Sequence, residues 1–247
     1  MIEEKLDVKI GVGPTINTEV LFLKPDGEVP GIVFLTDIWG IRPANIAMAR
    51  RLAEKGFAVL VPNVFHRWSR ITPDGFEHGD AAERHRKLGE LFRALTPGQM
   101  ESDGAAYVDF LLAQRDVKPG KVGVVGYCFT GQMAVHIAAA VPDRVAAAAS
   151  FHGGFLVKDT PDSVHRILPR VSARLYFGHA VEDNSMTAEQ IETLETALRG
   201  WHGAFQSETY AGALHGWTVP GRDVYNELQA ERAFEKAVEL FDATLKD

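Results

Sequence analysis

Cysteine is almost missing from this chain: Cys128 is the only one in 247 residues. A single thiol excludes an internal disulfide framework and a paired-cysteine redox motif. No apolar run approaches the roughly 18 residues that would span a bilayer. The opening Met1-Ile2-Glu3-Glu4-Lys5 lacks the basic start and apolar stretch of a secretory signal, so a cytoplasmic protein is expected. Positive charge is in deficit, with a formal net charge of −7. Nucleic-acid and anionic-membrane binders normally carry the opposite sign, and both classes are disfavoured. Repeats and low-complexity linkers are also absent, which points to one domain over residues 1–247. What is present is ordinary for a folded domain: 46% hydrophobic and 24% charged residues, enough for a sizeable core.

Apolar runs alternate with helical patterns. Glu19 to Leu23 and Gly31 to Thr36 read as strands around a Pro25-Asp26-Gly27 turn. Pro43 to Lys55 reads as a helix, with proline suited to its first turn. Strands follow at Ala58 to Val64, Lys121 to Gly126, Val145 to Phe151, Arg174 to Phe177 and Gln206 to Tyr210, the last polar enough for an edge. Further helices are expected at Gly131 to Val141, after a Thr187-Ala188-Glu189-Gln190 capping box, and over Val224 to Leu245. Val33-Phe34-Leu35, Val59-Leu60-Val61 and Val122 to Val125 are continuously apolar rather than alternating. Such strands are buried on both faces, so an α/β fold is expected: a mostly parallel central sheet with helices on both sides. The charged stretch from Trp68 to Gly104 reads only as a loop and one or two flanking helices.

Chemistry concentrates where Lys121 to Gly126 meets the next helix, through Tyr127-Cys128-Phe129-Thr130-Gly131. A strand, a nucleophilic residue and a helix in that order form a nucleophile elbow, here with cysteine. The helix N-terminus stabilises a thiolate and supplies N–H groups to an oxyanion. An inert core thiol is the alternative, since free cysteine is often buried. A nucleophile of this kind needs a base, and the base an orienting acid, in chain order nucleophile, acid, histidine. Asp183 follows the Arg174 to Phe177 strand, and His215 lies in a glycine-flanked loop before the last helix. Glu182 remains an alternative acid. His152, before Gly153-Gly154, resembles part of a His-Gly-Gly-Gly oxyanion motif, but that motif belongs upstream of the nucleophile. It reads as a strand-end residue, and His179 as packing near the site. No His/Cys spacing suggests a metal, and no cofactor is implied.

These segments resemble the dienelactone hydrolase (carboxymethylenebutenolidase) family of the α/β-hydrolases, from the Gly31 strand to the final helix. The resemblance carries the Cys, Asp and His roles onto Cys128, Asp183 and His215. It implies hydrolysis of a small ester or lactone through a thioester acyl-enzyme. It also implies that Asp37, after the third strand, fills the place of a glutamate that contacts and helps activate the thiol, one methylene shorter. A helix or loop cap is the other reading of Asp37. Ile38 and Phe129 would supply the two oxyanion N–H groups. The family's glycine two residues after the cysteine is Thr130 here, so elbow packing is expected to differ. Its dienelactone enzymes bind a substrate carboxylate with two arginines. Arg84 or Arg86 stands in the region of one, and Arg222 lies beyond the position of the other, where the chain reads Trp217-Thr218-Val219. Trp39, Trp68 and Trp217 could line an apolar pocket or pack in the core. The expected partner is a small ester or lactone, with a homodimer left open. A thioesterase or broad carboxylesterase with the same triad, and a non-catalytic binding protein, are the competing readings.

Overall fold

A computed structural model describes residues 1–10, 16–66, 86, 90 and 95–246. In chain order the strands are β1 (Ile2–Ile10), β2 (Ile16–Lys24), β3 (Gly31–Leu35), β4 (Ala58–Pro62), β5 (Val122–Tyr127), β6 (Val145–Phe151), β7 (Arg174–His179) and β8 (Phe205–Thr209). The helices described are α1 (Pro43–Glu54), α2 (Pro97–Leu112), α3 (Thr130–Ala140), α4 (Val164–Ile167), α5 (Ala188–Trp201) and α6 (Glu227–Leu245). The strands form one sheet in the order β1-β2-β4-β3-β5-β6-β7-β8. β3 to β8 run parallel, and the β1–β2 hairpin adds antiparallel to β4. This is the expected α/β-hydrolase architecture, with the polar β8 at the edge.

The continuously apolar strands work as anticipated. Val33, Leu35, Val122 and Val124 enter one cluster, with Tyr107, Val108 and Leu111 of α2 and Met133, Ala134 and Ile137 of α3. Their neighbours Ile32, Phe34, Val125 and Tyr127 enter the other, against Leu52 of α1 and Leu240 and Phe241 of α6. Alternate side chains of one strand therefore feed opposite layers, each fully buried aliphatic or aromatic side chain stabilising the fold by about 1.5–3 kcal/mol. Thr187 and Gln190 do form a capping box on α5, and Pro43 does open α1.

One strand escaped the sequence reading, and one helix was read only as part of the charged stretch ending at Gly104. β1 carries Glu3, Glu4, Lys5, Asp7 and Lys9 and pairs with β2 from Ile2–Lys24 to Ile10–Ile16. α2 starts with a second capping box, Thr96 and Gln99.

The parallel strands all end on one rim. Chain leaving β3, β5, β6, β7 and β8 there carries Asp37, Cys128, His152, Asp183 and His215 respectively, the usual place for a site in such a sheet.

Candidate active site

Cys128 sits between β5 and α3 with φ of 58°. A positive φ is unfavourable for a residue with a Cβ, and it presents the side chain above the sheet. Gly126 makes the tight turn sterically possible: a Cβ there would lie 2.2 Å from the Thr130 carbonyl oxygen and 2.7 Å from its carbon. Backbone cannot yield as a flexible side chain does. Gly126→Ala is therefore expected to destabilise the protein by about 3 kcal/mol in urea unfolding, since overpacking typically costs 1–3 kcal/mol and this contact is with main chain.

Thr130, the departure from the family's glycine, is fully buried and tied in. Its hydroxyl accepts the Tyr127 N–H at 3.0 Å and lies 3.1 and 2.9 Å from the carbonyls of Leu35 and Thr36. The threonine thus joins the nucleophile turn to the end of β3, where the packing was expected to differ.

His215 comes from the loop after β8, between Gly212 (φ 70°) and Gly216 (φ 96°). Asp183 comes from the loop after β7, and the Val181 N–H donates to the Ala213 carbonyl at 2.8 Å, tying the two loops. His215 Nε2 is 3.0 Å from Cys128 Sγ, and its Nδ1 is 2.6 Å from Asp183 Oδ2. The other Asp183 oxygen accepts the Ser185 N–H at 2.8 Å and the Ser185 hydroxyl at 2.7 Å. Asp183 is 7% exposed. Glu182, with φ of 51°, does not join this hydrogen-bonded line, so of the two acids the structure brings Asp183 to the histidine.

Burial works against charge on both partners, yet the contacts between them prevail. For His215, desolvation is outweighed by the hydrogen bonds and charges of Asp183 and Cys128, which push its pKa up to about 10. For Asp183, desolvation is outweighed by hydrogen bonds from His215 and Ser185, which hold it below the usual carboxylate range. A histidine raised from 6.5 to about 10 on folding contributes stability that is complete below pH 6.5 and is lost as pH rises toward 10. Urea unfolding of the wild type is expected to weaken across that window, and His215→Gln to flatten the slope. An unchanged slope in the variant would assign the linkage to other groups.

Asp37, expected beside the thiol, lies after β3 and has an ion pair with Arg42. It is 3% exposed, and both oxygens are engaged. Oδ2 accepts from Arg42 at 2.5 Å, and Oδ1 accepts the Trp39 N–H at 3.3 Å. Burial raises its pKa, opposed by Arg42 and, more weakly, Arg222. Asp37 is thus held by Arg42, a residue the sequence reading missed because nothing local marks a pair five positions apart in a loop. Ile38 follows at the end of this segment, and Phe129 is the N-cap of α3; both are buried, at 7% and 5% exposed.

The remaining expectations divide. Arg222 stacks over the Trp39 ring, 5.1 Å from its centroid, on the site side of the molecule. Arg86 is exposed and pairs with Glu90 at 2.5 Å. Trp217 is a correction: it is 0% exposed, packed between Tyr210 and His152, and so braces the site from within the core instead of lining a pocket. Arg84 and Trp68 lie outside the described residues. His179 binds Ser207 on β8 at 3.2 Å. Among the described residues, no three His, Cys, Asp or Glu side chains gather as metal ligands, and no helix is long and apolar enough to cross a membrane.

A thiol on a strand–helix turn, met by a histidine and an aspartate from later loops of a mostly parallel sheet, defines an α/β-hydrolase. Residues 18–245 match the model of the dienelactone hydrolase family, and the chain belongs to that family and is a hydrolase. It is 30% identical over 228 residues to carboxymethylenebutenolidase of Rhodococcus opacus, across 89% of this chain and 83% of that one. In fold it is similar to the dienelactone hydrolase-like promiscuous phosphotriesterase P91 from metagenomic libraries, with TM-score 0.78, 22% identity, and 98% and 99% of the two chains covered. The dienelactone hydrolase of Anabaena variabilis ATCC 29413 is similar too, with TM-score 0.71, 20% identity and the same coverage.

Proposed function

We propose that this protein hydrolyses small esters or lactones through a thioester on Cys128, with His215 as base and acid and Asp183 as its orienting partner. The observation that carries the reading is the continuous line from Sγ to Nε2 at 3.0 Å and from Nδ1 to Oδ2 at 2.6 Å.

The Cys128 sulfur, its proton transferred to His215 Nε2, attacks the carbonyl carbon and the C=O electrons move to oxygen. The N–H groups of Ile38 and Phe129 receive that oxyanion. Collapse expels the alkoxide, which takes the proton from His215, and leaves the thioester. Water then gives a proton to His215 and attacks the thioester carbon, releasing the acid and restoring the sulfur. Asp183 holds Nδ1–H and stabilises the imidazolium. Asp37, paired with Arg42 and accepting the Trp39 N–H, shapes the loop that presents Ile38.

An open cleft of about 420 Å³ beside Phe129 is lined by Leu95, Pro97, Met100 and Phe155 with Gln132 and Lys158, which suits a mainly apolar group with a polar end. The deciding experiment is intact-mass analysis of protein quenched in acid during turnover of an aryl ester. An acyl group on Cys128, the sole cysteine, is the expected result. Turnover with no such adduct would remove the covalent mechanism.

Charge selectivity at the mouth falls to Arg222. Guanidinium stacked on an aromatic ring is well placed for a carboxylate. Arg222→Ala is expected to lower kcat/KM about tenfold on a carboxylate-bearing lactone and leave its neutral methyl ester little changed, as the loss of one charge-assisted contact implies. Arg86→Ala should affect neither. Equal losses on both substrates would make Arg222 structural.

A further inference from the structure

His152, outside the proposed triad, has the most unusual setting of any histidine near the site. It is 1% exposed, with φ of 40°. Its Nδ1 accepts the Cys128 N–H at 3.0 Å, a donor shared with the Phe151 carbonyl at 3.1 Å. Its Nε2 lies 2.8 Å from Thr218 Oγ1, three residues beyond His215. The segment that carries it also reaches the next peptide of the same residue: the Gly154 N–H donates to the Cys128 carbonyl at 3.1 Å. Gly154 also packs close to Ser185, whose Oγ would lie 2.9 Å from a Cβ there.

From this arrangement we infer that His152 is a positioning residue, holding the Cys128 backbone in its left-handed turn and coupling it to the loop of His215. The inference rests on the reading of Cys128 as nucleophile.

The chemistry is specific. Nδ1 can accept from a backbone N–H only if it carries no proton, so the ring must be neutral with hydrogen on Nε2. Thr218 Oγ1 accepts that hydrogen and fixes the tautomer. Burial, helped by the charge of His215, holds His152 far below its ordinary pKa, so the ring stays neutral beside a charged neighbour. Its ring centroid is 5.3 Å from that of His215 and 5.0 Å from that of Trp217, which closes the back of the site. The contacts meet backbone and hydroxyl and leave His215 Nε2 to the sulfur. His152 therefore acts through placement and exchanges no proton with substrate.

Three variants test this: His152→Ala, His152→Asn and Thr218→Val. Asparagine tolerates positive φ, and its side-chain oxygen replaces Nδ1 opposite the Cys128 N–H. Valine removes only the hydroxyl that sets the tautomer. Two readouts are taken on each: steady-state kinetics with p-nitrophenyl acetate, and the rate of Cys128 alkylation by iodoacetamide at pH 7. His152→Ala is expected to lower kcat by about tenfold or more with KM nearly unchanged, because sub-ångström misplacement of a reacting atom has effects of that size. Alkylation should slow in parallel, and His152→Asn should recover most of both.

Thr218→Val should lower kcat by a few-fold, and nitrogen NMR should show that the His152 ring has lost its Nε2–H preference. If His152→Ala fails to fold, the Asn and Val variants decide: asparagine close to wild type with valine impaired supports placement. Wild-type kcat and alkylation in His152→Ala, or equal losses in the Ala and Asn variants, would overturn it. Failure of the underlying reading would look different. Cys128→Ala would then retain turnover, while the alkylation rates would still report on His152.

Discussion

Cys128→Ala is expected to abolish ester hydrolysis, to at least about 10⁴-fold below wild type, and to leave the folded structure in place. The size follows from the loss of a covalent route, for which single removal of a nucleophile typically removes nearly all the catalysis that the assembled group provides. The fold survives because the thiol is only partly buried and its neighbours hold the turn through main-chain contacts, Phe151 and Gly154 among them. Circular dichroism and urea unfolding check the second half of the expectation, and kcat/KM the first. Cys128→Ser should keep a weak esterase activity, since the same turn serves serine in related folds, but the histidine is placed 3.0 Å from a sulfur atom. Substantial turnover in the alanine variant would end the nucleophile assignment.

The second large effect belongs to the histidine and its acid. His215→Ala should lower kcat by about 10³-fold, because it removes both the base for the nucleophile and the acid for the leaving group. Asp183→Asn should lower it by roughly 10²–10³-fold, as the imidazolium loses its partner and the ring its fixed orientation. Glu182→Gln should remain near wild type. That contrast discriminates between neighbouring carboxylates, of which only Asp183 has an oxygen 2.6 Å from Nδ1. Were the Glu182 variant the more damaged, the acid would move by one residue. Neither loss should be recovered by higher substrate concentration, since the contacts lie with the sulfur and the ring.

The elbow was legible because its signals are local: a strand apolar at every position, glycine two before the cysteine, and a helix directly after. Asp183 and His215 were legible by order, each following a readable strand. Partners chosen in three dimensions left no such trace. Arg42 binds Asp37 through a loop whose path depends on β3, β4 and α1 together. His152 was read as a strand end, and so it is, but its function lies in a bond to a residue 24 positions earlier. Trp217 shows the converse, since an aromatic beside the histidine suggested a pocket wall and became core. β1 was missed because an outer hairpin strand needs few apolar residues, and its charges mask the alternation of Leu6, Val8 and Ile10.

All the groups assigned to chemistry gather on the rim where the parallel strands end, and the sheet itself separates that rim from the opposite one. A five- or six-residue strand spans about 17–20 Å. At the far rim, the turn before β5 carries Lys118 and Lys121, both exposed. Coupling the protein to a solid support through these amines would hold it with the reactive mouth turned to the solution. The same turn is also a place where a fluorophore or an added segment would sit a full strand length from the thiol.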